Sequence, residues 1–222
     1  MTFSILVRDA SGSFGAAIAS SSPAVAARCL TLRDGVGAVS SQNITDPRLG
    51  PKVMALMASG LSAEAAIGQI ASTDLTADYR QILAIDKHGE TGVHSGRYSL
   101  DVYGSAHAPA IVAAGNLLAS TDVPQAMVDA FAHANGELEK RLFAALLGAL
   151  AAGGERDPIR SASLSVVTNV GWRVTDLRVD WDDEPLERLG TLLDVWLPQR
   201  DDYVTRGVAP DTAPAYEVHR DV

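Results

Sequence analysis

The strand-like and helix-like segments of this chain come in pairs, and that pairing limits what it can fold into. Phe3–Arg8 carries β-branched and aromatic residues, Asp9-Ala10-Ser11-Gly12-Ser13 supplies a turn, and Phe14–Ser20 returns as a strand of small residues. Two further strands are expected around Cys29–Arg33 and Val36–Ser41, joined by Asp34-Gly35. A helix is expected to start at Asp46-Pro47, with Asp46 as its cap, and to stop at Gly60. A second opens at Ser62-Ala63-Glu64 and runs to Ser72. Strands follow at Gln81–Asp86, Thr91–Ser95 and Ala110–Ala114. Another helical pair comes next, capped at Thr121-Asp122-Val123-Pro124 and stopped at Gly153-Gly154. Strands at Ala162–Thr168 and Trp172–Val179 precede a last helix, Pro185 to Leu197, and a polar tail.

Strand hairpins pair antiparallel, whereas a doubly wound parallel sheet needs a helix between successive strands. The arrangement that buries every apolar face is an α+β fold with two antiparallel sheets between helical layers, a four-layer αββα sandwich. It is expected to occupy residues 1–200 as a single domain, with 201–222 as a surface tail.

Composition narrows the function. With 222 residues, 47% of them hydrophobic, the chain can build one good core. A formal charge of −9 lacks the basic footprint that nucleic acid requires and disfavours anionic membrane surfaces. The start of the chain has no basic stretch followed by an apolar run, and no segment is apolar for long enough to cross a bilayer, so the protein reads as cytoplasmic. Cys29, flanked by Arg28 and Leu30, is the sole cysteine and reads as a buried structural thiol. His88, His94, His107, His133 and His219 show no metal-ligand spacing, and Gly35-Val36-Gly37 lacks the rest of a nucleotide fingerprint. Neither a metal nor an organic cofactor is expected.

The element order, and the opening Thr2-Phe3-Ser4-Ile5-Leu6-Val7 before a turn and a small-residue strand, resemble the N-terminal-nucleophile (Ntn) hydrolases. More narrowly, the chain is similar to a bacterial and archaeal domain of unknown function placed beside them. That resemblance is carried by Gly15–Ser20, Asp46-Pro47-Arg48-Leu49-Gly50-Pro51, Gly60-Leu61-Ser62-Ala63-Glu64, Tyr79-Arg80-Gln81, Gly115-Asn116-Leu117-Leu118, Gly153-Gly154-Glu155-Arg156 and Tyr203-Val204-Thr205-Arg206. The family pattern implies Asp at Glu155, Gln at Arg160 and Gln at Ala114, so the ligand of this chain is expected to differ from that of its relatives wherever those positions bind it.

The resemblance implies a catalytic role for Thr2, whose hydroxyl attacks an amide while its own α-amine takes the proton. An α-amine, with a pKa of roughly 7.7–8.0, suits that task near neutral pH. It requires removal of Met1, because an acylated nitrogen is no base; otherwise Thr2 is an ordinary residue of the first strand. Asn116, polar between an apolar strand and a helix, is a candidate oxyanion donor or a helix-leading cap. Arg28 or Arg33 would lower the pKa of a nearby amine. Gln42, Asn43 and Arg48 would line the same cleft or satisfy loop backbone. Ser20-Ser21-Ser22 and Ser40-Ser41 sit at strand ends, where a nucleophile or turn chemistry is equally at home. Arg80-Gln81 reads as a strand-edge pair bonded to nearby carboxylates. Two function classes follow. One is an amidohydrolase acting on a small-molecule amide or peptide. The other is a non-catalytic ligand-binding or assembly protein that keeps the fold. Homo-oligomerisation is compatible with both.

Overall fold

A computed structural model describes residues 2–214. Met1 and the last eight positions of the tail, His219 among them, lie outside the described residues. Six strands form one antiparallel sheet in the order β10 (Arg173–Val179), β9 (Ser161–Val167), β2 (Phe14–Ser20), β1 (Thr2–Arg8), β8 (Ile111–Asn116) and β7 (Gly104–Ala108). A second antiparallel sheet runs β3 (Leu30–Arg33), β4 (Gly37–Asn43), β5 (Arg80–Asp86) and β6 (Thr91–Ser95). Helices α2 (Leu49–Ala58) and α3 (Ala63–Thr73) follow β4. Helices α4 (Val123–His133) and α5 (Leu138–Ala151) follow β8, and α6 (Pro185–Val208) follows β10. The α+β class and the two antiparallel sheets are those read from the sequence. No described helix is long and apolar enough to cross a membrane.

The period of two along β1 divides the interior. Phe3, Ile5 and Val7 pack with Met127, Leu142, Leu146 and Leu189 of α4, α5 and α6. Leu6 points the other way and packs with Phe14 and Ile18 of β2 against Ala38, Leu83 and Ile85 of the second sheet. On the far side of that sheet Val39, Ile82 and Ala84 meet Val53, Met57, Ile67 and Ile70 of α2 and α3. β1 is therefore covered on both faces and is buried through its first six residues.

Four local expectations change. A left-handed Ala24 leads into a short helix α1 (Val25–Cys29) just before the expected strand, and Cys29 is buried as anticipated. α2 begins two residues after Pro47, because the Asp46 carboxylate accepts the Arg48 amide at 3.0 Å and closes a turn ahead of the helix. β7, a run of Gly, Ser, Ala and His without β-branched residues, gave no strand signal. Finally, α6 continues through Pro198 to Val208, so residues 201–208, read as the start of a tail, are helical.

Tertiary anchors carry α6 past the proline. Trp196 donates its indole N–H to Thr175 Oγ1 at 3.0 Å and stacks on Tyr203, with ring centres 5.3 Å apart. Arg200 donates to both carboxylate oxygens of Glu139 at 3.0 Å, and Glu139, 1% exposed, also accepts from Thr175 Oγ1 at 2.7 Å. An ion pair of this kind holds chiefly because removing one partner strands the other. Arg200→Met is predicted to cost about 3 kcal/mol in urea unfolding, since Glu139 is left buried without its partner. A loss under about 0.5 kcal/mol, typical of exposed positions, would show that α6 is held by its apolar face alone.

Candidate functional site

The layer between the sheets changes character along its length. At one end it is apolar, around Leu6, Phe14 and Leu83. At the other end, where β1 begins, the inward positions are Thr2, Ser4, Ser20 and Asn116 from the larger sheet and Ser40, Gln42 and Gln81 from the smaller. All are buried. Strand register sets this grouping. Thr2 lies opposite Asn116 of β8, Phe3 lies opposite Ala19 of β2, and Gln42 lies opposite Gln81 across β4 and β5.

Two backbone carbonyls fix the polarity of the amides. Gln42 Nε2 donates to the Ala114 carbonyl at 3.3 Å, and Gln81 Nε2 donates to the Gly115 carbonyl at 3.1 Å. A carbonyl can only accept, so each glutamine has one orientation. Gln42 Nε2 then donates to Gln81 Oε1 at 2.8 Å, and Gln42 Oε1 accepts from Ser4 at 2.7 Å and Ser40 at 3.1 Å. Gln81 Nε2 also donates to Ser95 Oγ. Asn116 Nδ2 donates to Gln81 Oε1 at 3.0 Å, which leaves Asn116 Oδ1 buried with no hydrogen-bond partner among the described residues. The Asn116 nitrogen expected to serve an oxyanion is thus engaged with Gln81, and its oxygen is the unfilled group.

Glu155 closes the same end. Residues 154–156 run beside 117–119: Leu118 and Glu155 form an isolated antiparallel bridge, Ala119 N–H donates to Gly154 O, and Arg156 N–H donates to Leu117 O. From there Glu155 Oε2 accepts the Ser21 amide at 3.1 Å, while Oε1 is buried and has no partner among the described residues. Burial lifts the Glu155 carboxyl from the ordinary 4.5 to about 7, opposed by the charge of the chain's amino terminus and then by the Ser21 hydrogen bond. Ser20 links the groups, accepting from Thr2 Oγ1 at 3.3 Å and from the Ser22 amide at 3.0 Å.

Of the residues singled out in sequence, Thr2, Asn116 and Gln42 converge here. Asn43 turns away, donating to the Tyr79 and Tyr98 carbonyls and accepting the Leu100 amide, so it ties loops together. Arg48 is exposed and clamps Asp46, whose carboxyl it holds well below the usual range. Arg28 donates to the Pro23 carbonyl at 3.0 Å, and Arg33 is exposed at the end of β3. Neither has a described contact with Thr2. Gln81 was read with Arg80 as an edge residue. β5 is instead an inner strand, and Arg80 bonds the Ile44 carbonyl and Thr76. Glu155 was visible in the sequence only as a departure from the family pattern. Thr2 is 4% exposed. A groove of about 560 Å³ between the free edges of β6 and β7 meets the network at Ser95 rather than at Thr2.

Over residues 2–189 the sequence matches a family of unknown function, DUF1028. The crystal structure of protein SPO2555 from Silicibacter pomeroyi, of the same family, is similar with a TM-score of 0.82. The two are 30% identical over 96% of this chain and 93% of that one. Anbu, an ancestral β-subunit from Yersinia bercovieri, aligns over 88% of this chain and 97% of its own at 10% identity. Its TM-score of 0.36 is too low to bear on the fold. No curated protein matches the chain.

Gln81→Leu removes the acceptor of Asn116 Nδ2 and one partner of Gln42. It is predicted to cost about 2–3 kcal/mol by urea unfolding, the penalty of stranding buried polar groups. Glu155 sets a pH dependence. Its carboxyl keeps its proton to about pH 7 when folded and loses it near 4.5 when unfolded, so its contribution is full below 4.5 and is lost as pH rises to 7. Relative to wild type, Glu155→Gln is predicted to gain on the order of 2 kcal/mol between pH 4.5 and 7.5. Parallel stability curves for the two proteins would contradict that.

Proposed function

This chain belongs to DUF1028, a family of unknown function, and from that premise we propose that it is an amidohydrolase of the N-terminal-nucleophile type acting on a small amide or peptide. The observation that carries the reading is the position of Thr2. It opens one of the two middle strands of the larger sheet and faces a buried polar cluster between two sheets that are flanked by helices. That layering fits the αββα sandwich of the Ntn class, in which the first residue of such a strand is the nucleophile.

With Met1 removed, the Thr2 α-amine takes the hydroxyl proton as Oγ1 bonds to the amide carbon and the carbonyl electron pair moves to oxygen. Collapse breaks the carbon–nitrogen bond, and the leaving amine takes the proton back from the α-ammonium. The ester left on Thr2 is then cleaved by water, which restores the hydroxyl and releases the acid. Asn116 Nδ2 donates to Gln81, so the oxyanion needs donors other than that nitrogen, and backbone amides are the natural source.

The second reading is a non-catalytic binding protein. It is favoured by the low exposure of Thr2 and by a groove that reaches the cluster at Ser95. One experiment separates the two. Protein made in its native host is analysed by intact mass and N-terminal sequencing, then treated with a small β-lactone. The amidohydrolase is predicted to begin at Thr2 and to form one ester adduct there, lost in Thr2→Ala and kept in Thr2→Ser. A chain that begins at methionine and forms no adduct supports the binding protein.

A further inference from the structure

We propose that Glu155 is the positioning residue for the α-amino group of Thr2, receiving it between its free carboxylate oxygen and the free carbonyl oxygen of Asn116 once Met1 is gone. The inference rests on the reading of Thr2 as the first residue of the working chain.

Topology makes the case. β1 lies between β2 and β8, so its first residue leaves a gap between the continuing ends of those strands. Thr2 is flanked by Ser20 on one side, through its hydroxyl, and by Asn116 on the other, through strand register. The chain continues to Ser21 and Leu118, and both are tied to Glu155: Ser21 by its amide and Leu118 by the bridge. Glu155 therefore spans the mouth of β1, where the nitrogen of Thr2 emerges.

The chemistry of the lining agrees. Asn116 Oδ1 and Glu155 Oε1 are both buried acceptors without a donor among the described residues, and the amide network forbids Asn116 from turning its nitrogen outward. A buried oxygen left unpaired is costly. An ammonium offers three donors and answers both oxygens at once. Arg156 pairs with Asp101 and Arg160 with Asp183, so the positive charge that acts on Glu155 is that of the chain's amino terminus, with Asp157 opposing its ionisation more weakly. Glu155 is thus free to act on the amine. In the proposed reaction the amine becomes an ammonium when it takes the Thr2 proton, and a fixed carboxylate stabilises that ion as it forms. Glu155 touches neither substrate nor reacting carbon, so its effect travels through the amine.

The test is a titration of the amine itself. The chain is labelled with ¹⁵N-threonine, Met1 is removed by aminopeptidase digestion, and the Thr2 amine is followed by NMR against pH in wild type, Glu155→Gln and Glu155→Asp. A neighbouring carboxylate favours the charged amine, so Glu155→Gln is predicted to lower the midpoint by about one pH unit. Glu155→Asp, which keeps the charge, should stay within about half a unit of wild type. The same shift should appear in the acid limb of the pH profile for β-lactone acylation. Midpoints that agree within about 0.2 units between wild type and Glu155→Gln overturn the role of Glu155, even where the adduct forms. A shifted midpoint without any adduct leaves that role standing and overturns the amidohydrolase instead.

Discussion

The hydrogen bonds from two glutamine side chains to two successive carbonyls of β8 are what the polar end of this molecule depends on. Ala114 O and Gly115 O can only accept, so they set the direction of Gln42 and Gln81, and through Gln81 they set Asn116. The same bonds join the sheets, because Gln42 and Gln81 stand on β4 and β5 while their acceptors belong to the larger sheet. An apolar filling would bring the sheets together equally well, as it does at the Leu6 end. What the amide chain adds is direction. It commits the nitrogen of Asn116 to the network and leaves its oxygen without a partner among the described residues.

That arrangement leaves a localised imbalance of acceptors. The oxygens of Asn116 and Glu155 that lack a donor among the described residues lie where β1 begins, while Ser4, Ser40 and Gln42 are matched to one another further along the strands. Native interiors seldom leave a buried carbonyl or carboxylate oxygen without a donor, whether from protein, from ordered water or from a group that arrives in function or maturation. A chain terminus trimmed back to Thr2 supplies such a donor from the molecule itself.

Much of the fold is legible in the sequence, and the failures have physical causes. The hairpins and helix pairs follow from periods of two and 3.6, which survive in any context. β7 was missed because its residues carry no β propensity and it is held by pairing with β8 alone. The second half of α6 was missed because Pro198 is a local stop signal, overridden by the Arg200–Glu139 pair and by Trp196. Thr2 and Asn116 could be found because each sits at the end of a recognisable strand. Gln81 could not, since a polar residue entering a strand looks the same whether the strand lies inside a sheet or at its edge. Glu155 comes from a Gly-Gly loop whose destination is set by contacts more than thirty residues away in sequence, with Leu118 and with Ser21.

The most direct test of the amide network is hydrogen exchange of the side-chain carboxamides, followed by ¹⁵N NMR on the intact protein. Gln42, Gln81 and Asn116 are predicted to keep their side-chain amide protons far longer than Gln125 or Gln199, whose amides lie at the exposed surface. Exchange of all five at solvent rates would mean that the polar end is open water, with no fixed orientation for Asn116 and no built site beside Thr2.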